Sequence, residues 1–266
     1  MTTVANPRQE QAAHWYDPKT GEAMHTVIAK GTGQPRPTTL ADARKLRLVP
    51  SVTNILRILH KPQLVDWLIE NACLAVLTTP RLPDESLDAF VYRVLHTERV
   101  QDQESQIAKD KGIEMHEALE KLFNGELVSP EVLPWVEPCF NAIRLKGTWI
   151  ASEKTLIGEG YAGKTDLIQD CDGVHWLWDF KTTKKLPEKG SWSEHKLQLS
   201  AYAMAYFGQL PGWNESKPKL MTSNAYISTA ECGKFVLWEN QDWNPTFEAG
   251  FKPLVTYWQF TNNYHP

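Results

Sequence analysis

The sequence predicts an α/β or α+β fold with a helical N-terminal part. Three observations carry this. Apolar residues recur with a helical period from about residue 50 to 124. The pattern then changes, after a Pro-rich connection, to strand-like runs broken by glycine from residue 149. Those runs are followed by a helical stretch at 195–208, a second hairpin and a closing helix.

In chain order, residues 1–48 read as a loop-rich N-terminal segment. "YDPKTGE" (16–22) is a turn, and "GTGQPRPTT" (31–39) carries Gly and Pro punctuation. Residues 40–56 read as a short helix stopped before Pro50 and a second start, with Ser51 or Thr53 as N-cap. Residues 49–266 read as a single domain, with a helical part at about 49–127 and a sheet-containing core at about 140–266. Pro62 suits a first helical position. The run 83–100 opens with acidic residues, as the helix dipole favours. The run 104–125 places Ile107, Ile113, Ala118, Leu119, Leu122 and Phe123 on an apolar face and stops at Asn124-Gly125. Residues 128–140 read as a Pro-rich connection. Then 149–170 is strand-like, and Thr165–Gln169 and Val174–Phe180 flank a turn, Asp170-Cys171-Asp172-Gly173. A hairpin over 224–239 turns at Glu231-Cys232-Gly233, and a final helix over 244–263 bends at Pro253.

Bulk properties exclude some classes. A net charge of -4 argues against a surface that clings everywhere to nucleic acid, and leaves room for a local basic groove. No apolar run approaches the roughly 18 residues that span a bilayer, and "MTTVANPRQEQAAHWYD" has no basic-then-apolar signal pattern, so a cytoplasmic setting is the default. The four cysteines, Cys73, Cys139, Cys171 and Cys232, form no C-x-x-C pair, so neither a zinc knuckle nor a clustered iron–sulfur signature is visible.

The chemistry concentrates in the first hairpin. A carboxylate in a packed strand is costly unless it is paired or binds a metal. Asp179 and Lys181 lie two apart and share a strand face. If Asp166 faces them, two carboxylates and an amine surround one point, and Glu153 can supply a third carboxylate; Glu159 competes for that role, and Glu153 is preferred because Thr155 and Ile157 alternate from it towards the Gly158 break. Hard oxygen ligands in that number suit Mg²⁺ or Mn²⁺, with Lys181 offsetting transition-state charge. Gln198 and Tyr202, four apart, share a face of the following helix.

Together these residues resemble the PD-(D/E)-x-K nuclease superfamily, in its RecB-type exonuclease branch, over about residues 50–207. "KGIEMHEALE" (111–120) resembles the helix that brings a histidine to the metal, matching His116. "EGYAGKTDLI" (159–168) resembles the G-x-x-D strand, with Asp166 as ligand. "WDFKTTK" (178–184) resembles the D-x-K strand, with Asp179 as ligand and Lys181 as catalytic lysine. "QLSAYAMAY" (198–206) resembles the Q-x-x-x-Y helix, matching Gln198 and Tyr202, and "VPSVTNIL" (49–56) resembles a segment before the helical region of phage members. The resemblance implies a restriction-endonuclease-like core, a central mixed β-sheet flanked by helices. It also implies Mg²⁺- or Mn²⁺-dependent cleavage of DNA, with single-stranded ends expected as substrate; the alternatives are a recombination exonuclease acting on double-stranded ends and a non-catalytic nucleic-acid-binding module on the same fold. Phage or prophage replication or recombination is the expected setting, with a single-strand annealing or replication partner. Some members carry four cysteines for an iron–sulfur cluster, three of them near the C-terminus. Only Cys232 lies there in this chain, so no cluster is expected.

DNA contacts are expected from Lys184 and Lys185, and from Lys189 and Lys196 beyond them. Arg36, Arg44, Lys45 and Arg47 form a second basic run. Of eleven tryptophans, Trp15, Trp67, Trp192, Trp213 and Trp243 sit where one or two could stack on bases. By fold analogy, the helices over 84–124 could arch over the site.

Overall fold

The computed structural model describes residues 14–96, 100–210 and 219–266. Trp213 and the side chain of Ile107 lie outside what it describes. The N-terminal elements are β1 (Trp15–Tyr16), β2 (Thr26–Ile28), β3 (Pro35–Pro37), α1 (Leu40–Leu46), β4 (Val49–Pro50) and α2 (Val52–Leu56). Helices α3 (Pro62–Thr78), α4 (Leu87–His96), α5 (Val100–Phe123) and α6 (Leu133–Arg144) follow. The main sheet holds β5 (Thr148–Gly158), β6 (Tyr161–Cys171), β7 (Val174–Thr183), β8 (Lys219–Ser228) and β9 (Phe235–Asn240), with α7 (Ser193–Gln209) between β7 and β8. Helix α8 (Trp243–Thr246), a π-helical stretch (Phe247–Phe251) and α9 (Lys252–Asn262) close the chain.

The five strands lie in sequence order. All neighbours are antiparallel except β7 and β8, which are parallel. A parallel pair needs a crossover, and α7 supplies it. The β6–β7 turn is tight. Cys171 pairs with Val174, and Asp172 and Gly173 have φ of 55° and 80°, which matches the right-handed twist of the strands.

Strand alternation divides the core in two. Leu167, Trp178, Phe180, Ala225 and Ile227 pack under α5 and α6. Leu156, Ile168 and Leu177 pack on the other side with α2, α7 and α9. Ser51 caps α2, its hydroxyl accepting from Asn54 N at 3.0 Å. The described part of the N-terminal segment, residues 14–48, is stitched into this body. β1 pairs with β4, and Trp15 is 1% exposed inside the α7-side core.

Three expectations change. The Pro-rich run 128–140 is not a connection, because most of α6 lies in it. Val132, Val136, Cys139 and Ile143 bury one helical stripe, and packing against the sheet outweighs the hydrogen bond that Pro138 cannot make. Ile113 is 48% exposed and lines a cleft, while Met115 fills the core instead. The irregularity in the last helix is a π-helical stretch that precedes Pro253. There Lys252 N bonds to Phe247 carbonyl across five residues, so the π stretch takes up the irregularity. The second basic run is also partly committed to the fold. Arg36 grips Asp42 through both guanidinium ends, at 2.6 and 2.8 Å, and Arg44 donates to the Asn262 carbonyl.

Candidate active site

The site lies where β6 and β7 separate. Their ladder runs from Cys171↔Val174 to Leu167↔Trp178 and goes no further. Beyond it, side chains replace backbone partners. Thr165 Oγ1 donates to the Trp178 carbonyl at 3.1 Å, and Phe180 N donates to the Asp166 carboxylate. A carboxylate is tolerated inside this sheet because it supplies an acceptor that the diverging strand no longer offers.

Asp179 is 2% exposed. One oxygen accepts from Lys181 Nζ at 2.6 Å, the other from Asn224 Nδ2 at 2.9 Å. The parallel register sets Asn224 opposite Asp179 and Tyr226 opposite Lys181. Lys181 is thus held by a buried carboxylate that β8 in turn holds.

Helix α5 and strand β5 contribute to a cleft of about 890 Å³, lined among others by His116, Glu117, Glu120, Glu153, Asp166 and Lys184. Gly112 lets α5 approach. A Cβ there would lie 2.7 Å from Thr182 Oγ1, so even alanine would require the Thr182 hydroxyl or the helix to shift. The His116 ring lies 6.4 Å from the Phe180 ring. Glu153 has φ of 51°, a strained value for a side-chain-bearing residue, and pairs with Lys164 at 2.5 Å. Strand alternation from Thr155 and Ile157 therefore does not orient Glu153; its own left-handed backbone does. Glu159 lies in the β5–β6 turn.

Charge is poised here. Asp166 keeps some contact with the cleft but lies at its floor, closed in by protein. Its carboxyl is pushed well above the usual range, first by burial and then by the Asp179 charge, with Lys181 opposing. Burial, then Lys181, lowers the His116 pKa, so its imidazole is neutral near pH 7 and keeps a lone pair for a ligand. Among the described residues no three His, Cys, Asp or Glu side chains form a ready metal cage. The donors still fit a hard divalent cation in kind. Two carboxylates that repel each other gain from a shared cation, Glu153 and His116 add an oxygen and a nitrogen donor, and water or phosphate completes such sites.

Gln198 and Tyr202 are 8% and 4% exposed, with Gln198 Nε2 donating to Tyr202 Oη at 2.9 Å. The Tyr202 ring packs on β6, over Gly163, where a Cβ would lie 2.3 Å from a ring carbon. The glycine of the G-x-x-D strand is thus a packing requirement. Gly163→Ala is expected to destabilise the fold by about 1–3 kcal/mol through overpacking, read as a lower urea midpoint. An unchanged midpoint would mean that Tyr202 is free to move.

Asn224, His195 and Tyr226 also belong to this neighbourhood and were not singled out from sequence. Only Asn224 left a signal, a carboxamide within the buried run "TSNAYIS" (222–228). His195 Nδ1 lies 2.9 Å from Tyr226 Oη. Burial, then Lys181, lowers its pKa from 6.5 to about 4. Between those values the unfolded chain binds a proton that the folded chain does not. Stability therefore falls as pH drops through this window, by on the order of 3 kcal/mol. Replacing His195 by Gln is expected to flatten the decline of the urea midpoint between pH 7 and 4; an identical slope would refute the assignment.

Comparison with known proteins adds a family. Residues 141–226 match the family model of the PD-(D/E)XK nuclease superfamily, and this stretch carries a domain of that superfamily. It runs from the end of α6 through β8 and contains Glu153, Asp166, Asp179, Lys181, Gln198 and Tyr202. The mixed sheet with its flanking helices is consistent with a restriction-endonuclease-like core. A solved structure titled "Crystal structure of SSO0001" is similar over 73% of this chain and 86% of that chain, at 15% identity and a TM-score of 0.32. No curated protein matches.

Proposed function

We propose that this protein is a divalent-metal-dependent deoxyribonuclease that removes nucleotides from single-stranded DNA ends. The observation that carries the reading is the convergence of Asp166, Asp179 and Lys181 where β6 leaves β7, beside the cleft. Asp166 and Asp179, with His116 and Glu153, would hold the cation. When bound, Mg²⁺ or Mn²⁺ supplies positive charge at the scissile phosphate and a water of lowered pKa. Lys181, fixed by Asp179, places a further positive charge where the phosphodiester gains negative charge. Asn224 keeps Asp179 aimed at Lys181. Lys184 lines the cleft and Lys185 lies next to it on the same loop, both placed to meet phosphates. The cleft volume is that of a small-ligand site, which suits a flexible strand better than a rigid duplex.

The test uses 5′- and 3′-labelled single- and double-stranded DNA, with a circular single strand as a substrate lacking ends. Mg²⁺, Mn²⁺ and EDTA are compared. Nucleotide release from linear single strands, absent with EDTA and from the circle, is expected. Cutting of the circle would replace the exonuclease reading by an endonuclease one. No cation-dependent product from any substrate would overturn the nuclease reading.

A further inference from the structure

The loop from Lys184 to Trp192 leaves the cleft and borders a second depression of about 590 Å³, lined by Lys185, Pro187, Glu188, Lys189 and Trp192 among others. Trp192 is 45% exposed. It is nonetheless held in place. Its backbone N donates to Tyr226 Oη at 3.1 Å, and its ring lies 5.3 Å from both His195 and Tyr226. The His195 ring stacks on Tyr226 at 5.6 Å. Tyr226 is the β8 residue in register with Lys181. An aromatic cluster, with the indole edge-on to Tyr226 and tilted against His195, therefore stands one strand away from the lysine of the candidate site, and the indole is partly open to solvent. The other tryptophans with this potential are placed differently. Trp15 is buried, Trp243 Nε1 is tied to the Leu220 carbonyl at 3.1 Å, and Trp67 sits on α3.

A half-open indole packed against two rings, sharing its depression with Lys185 and Lys189, matches the chemistry of an unpaired nucleotide, with a π face for the base and ammonium groups for its phosphates. Fixing the ring in advance lowers the ordering cost of binding. We propose that Trp192, backed by His195 and Tyr226, is a nucleobase-stacking subsite, with Lys185 and Lys189 holding the adjoining phosphates. The proposal rests on the nuclease reading for its substrate class and specifies what that reading leaves open: the strand is gripped through an unstacked base, without regard to sequence.

The test uses single-stranded oligonucleotides carrying 2-aminopurine at successive positions from one end. Binding is measured with Mg²⁺ in the full chain bearing Lys181→Met, which prevents cleavage. One position is expected to be strongly quenched. Adding Trp192→Ala should abolish that quenching and weaken binding about tenfold, within the range for one stacked base. Trp192→Phe should retain most of both, and thermal melts confirm that each variant is folded. An abasic site at the quenched position should weaken binding to the parent about tenfold and leave Trp192→Ala unaffected. Equal quenching with and without Trp192, or equal abasic penalties in both proteins, would overturn the subsite. Failure of the nuclease reading shows separately, as absence of cation-dependent products from the unmodified chain, and leaves these binding measurements interpretable.

Discussion

Lys181→Met is expected to reduce DNA cleavage by about 10³-fold, the scale of removing one preorganised charge from a phosphoryl or acyl transition state. The methionine keeps the aliphatic stem and deletes the ammonium. Asp179→Asn should bring a comparable loss, because Lys181 Nζ lies 2.6 Å from Asp179 and would lose its ionic anchor. Asp179→Ala is the poorer variant. It leaves Asn224 and Lys181 without the group both contact, and breaking a largely buried pair costs about 3–5 kcal/mol. Initial rates on labelled single strands, with far-UV circular dichroism as the folding control, decide the matter. Wild-type rates in folded Lys181→Met would remove Lys181 from the chemistry.

Asp166→Asn is expected to abolish cleavage and make the protein more stable. Asp166 pays for its position at the cleft floor in burial and in repulsion from Asp179, which together push its pKa well above the usual range. A carboxyl raised in this way binds protons more readily folded than unfolded, so it destabilises the fold increasingly as pH rises towards neutrality. Asparagine removes the charge and still offers an oxygen to Phe180 N. Relief of that burial and repulsion should raise Tm at pH 7 relative to the unmodified chain. Cation binding gives a second readout. Mg²⁺ or Mn²⁺ at 100 times its Kd should stabilise the unmodified chain by about 2.7 kcal/mol. The Asp166→Asn variant should gain much less. Equal stabilisation of the two proteins would place the cation elsewhere.

How far the sequence went can be followed residue by residue. The D-x-K pair was legible because period-two alternation puts Asp179 and Lys181 on one face of β7, as found. The hairpin was legible because Asp-Gly at its turn tolerates positive φ. The Ser51 cap was legible because the preference is local. Helix α6 was not, because prolines weigh heavily in a local window and the apolar stripe counts only once a sheet lies beneath it. Glu153 was singled out, but the argument from alternation does not hold at a residue with φ of 51°. His195 and Tyr226 were missed because a histidine near the start of a helix and a tyrosine in a buried strand carry no mark until the parallel pairing of β7 and β8 brings them beside Lys181.

By itself, the sequence determined the order of the main elements apart from α6 and the residue types proposed for the candidate site, since both follow from periodicity and spacing along one chain. Only the tertiary structure decided where β6 leaves β7, and hence how Asp166 comes to line the cleft while Asp179 is buried beside it, held by Lys181 and Asn224. It also decided that Gly163 is needed for the close seating of Tyr202, and that Trp192 lies edge-on to a tyrosine in register with Lys181. These features depend on distances between segments far apart in the chain. Such distances are fixed by packing and strand register, which no local pattern encodes.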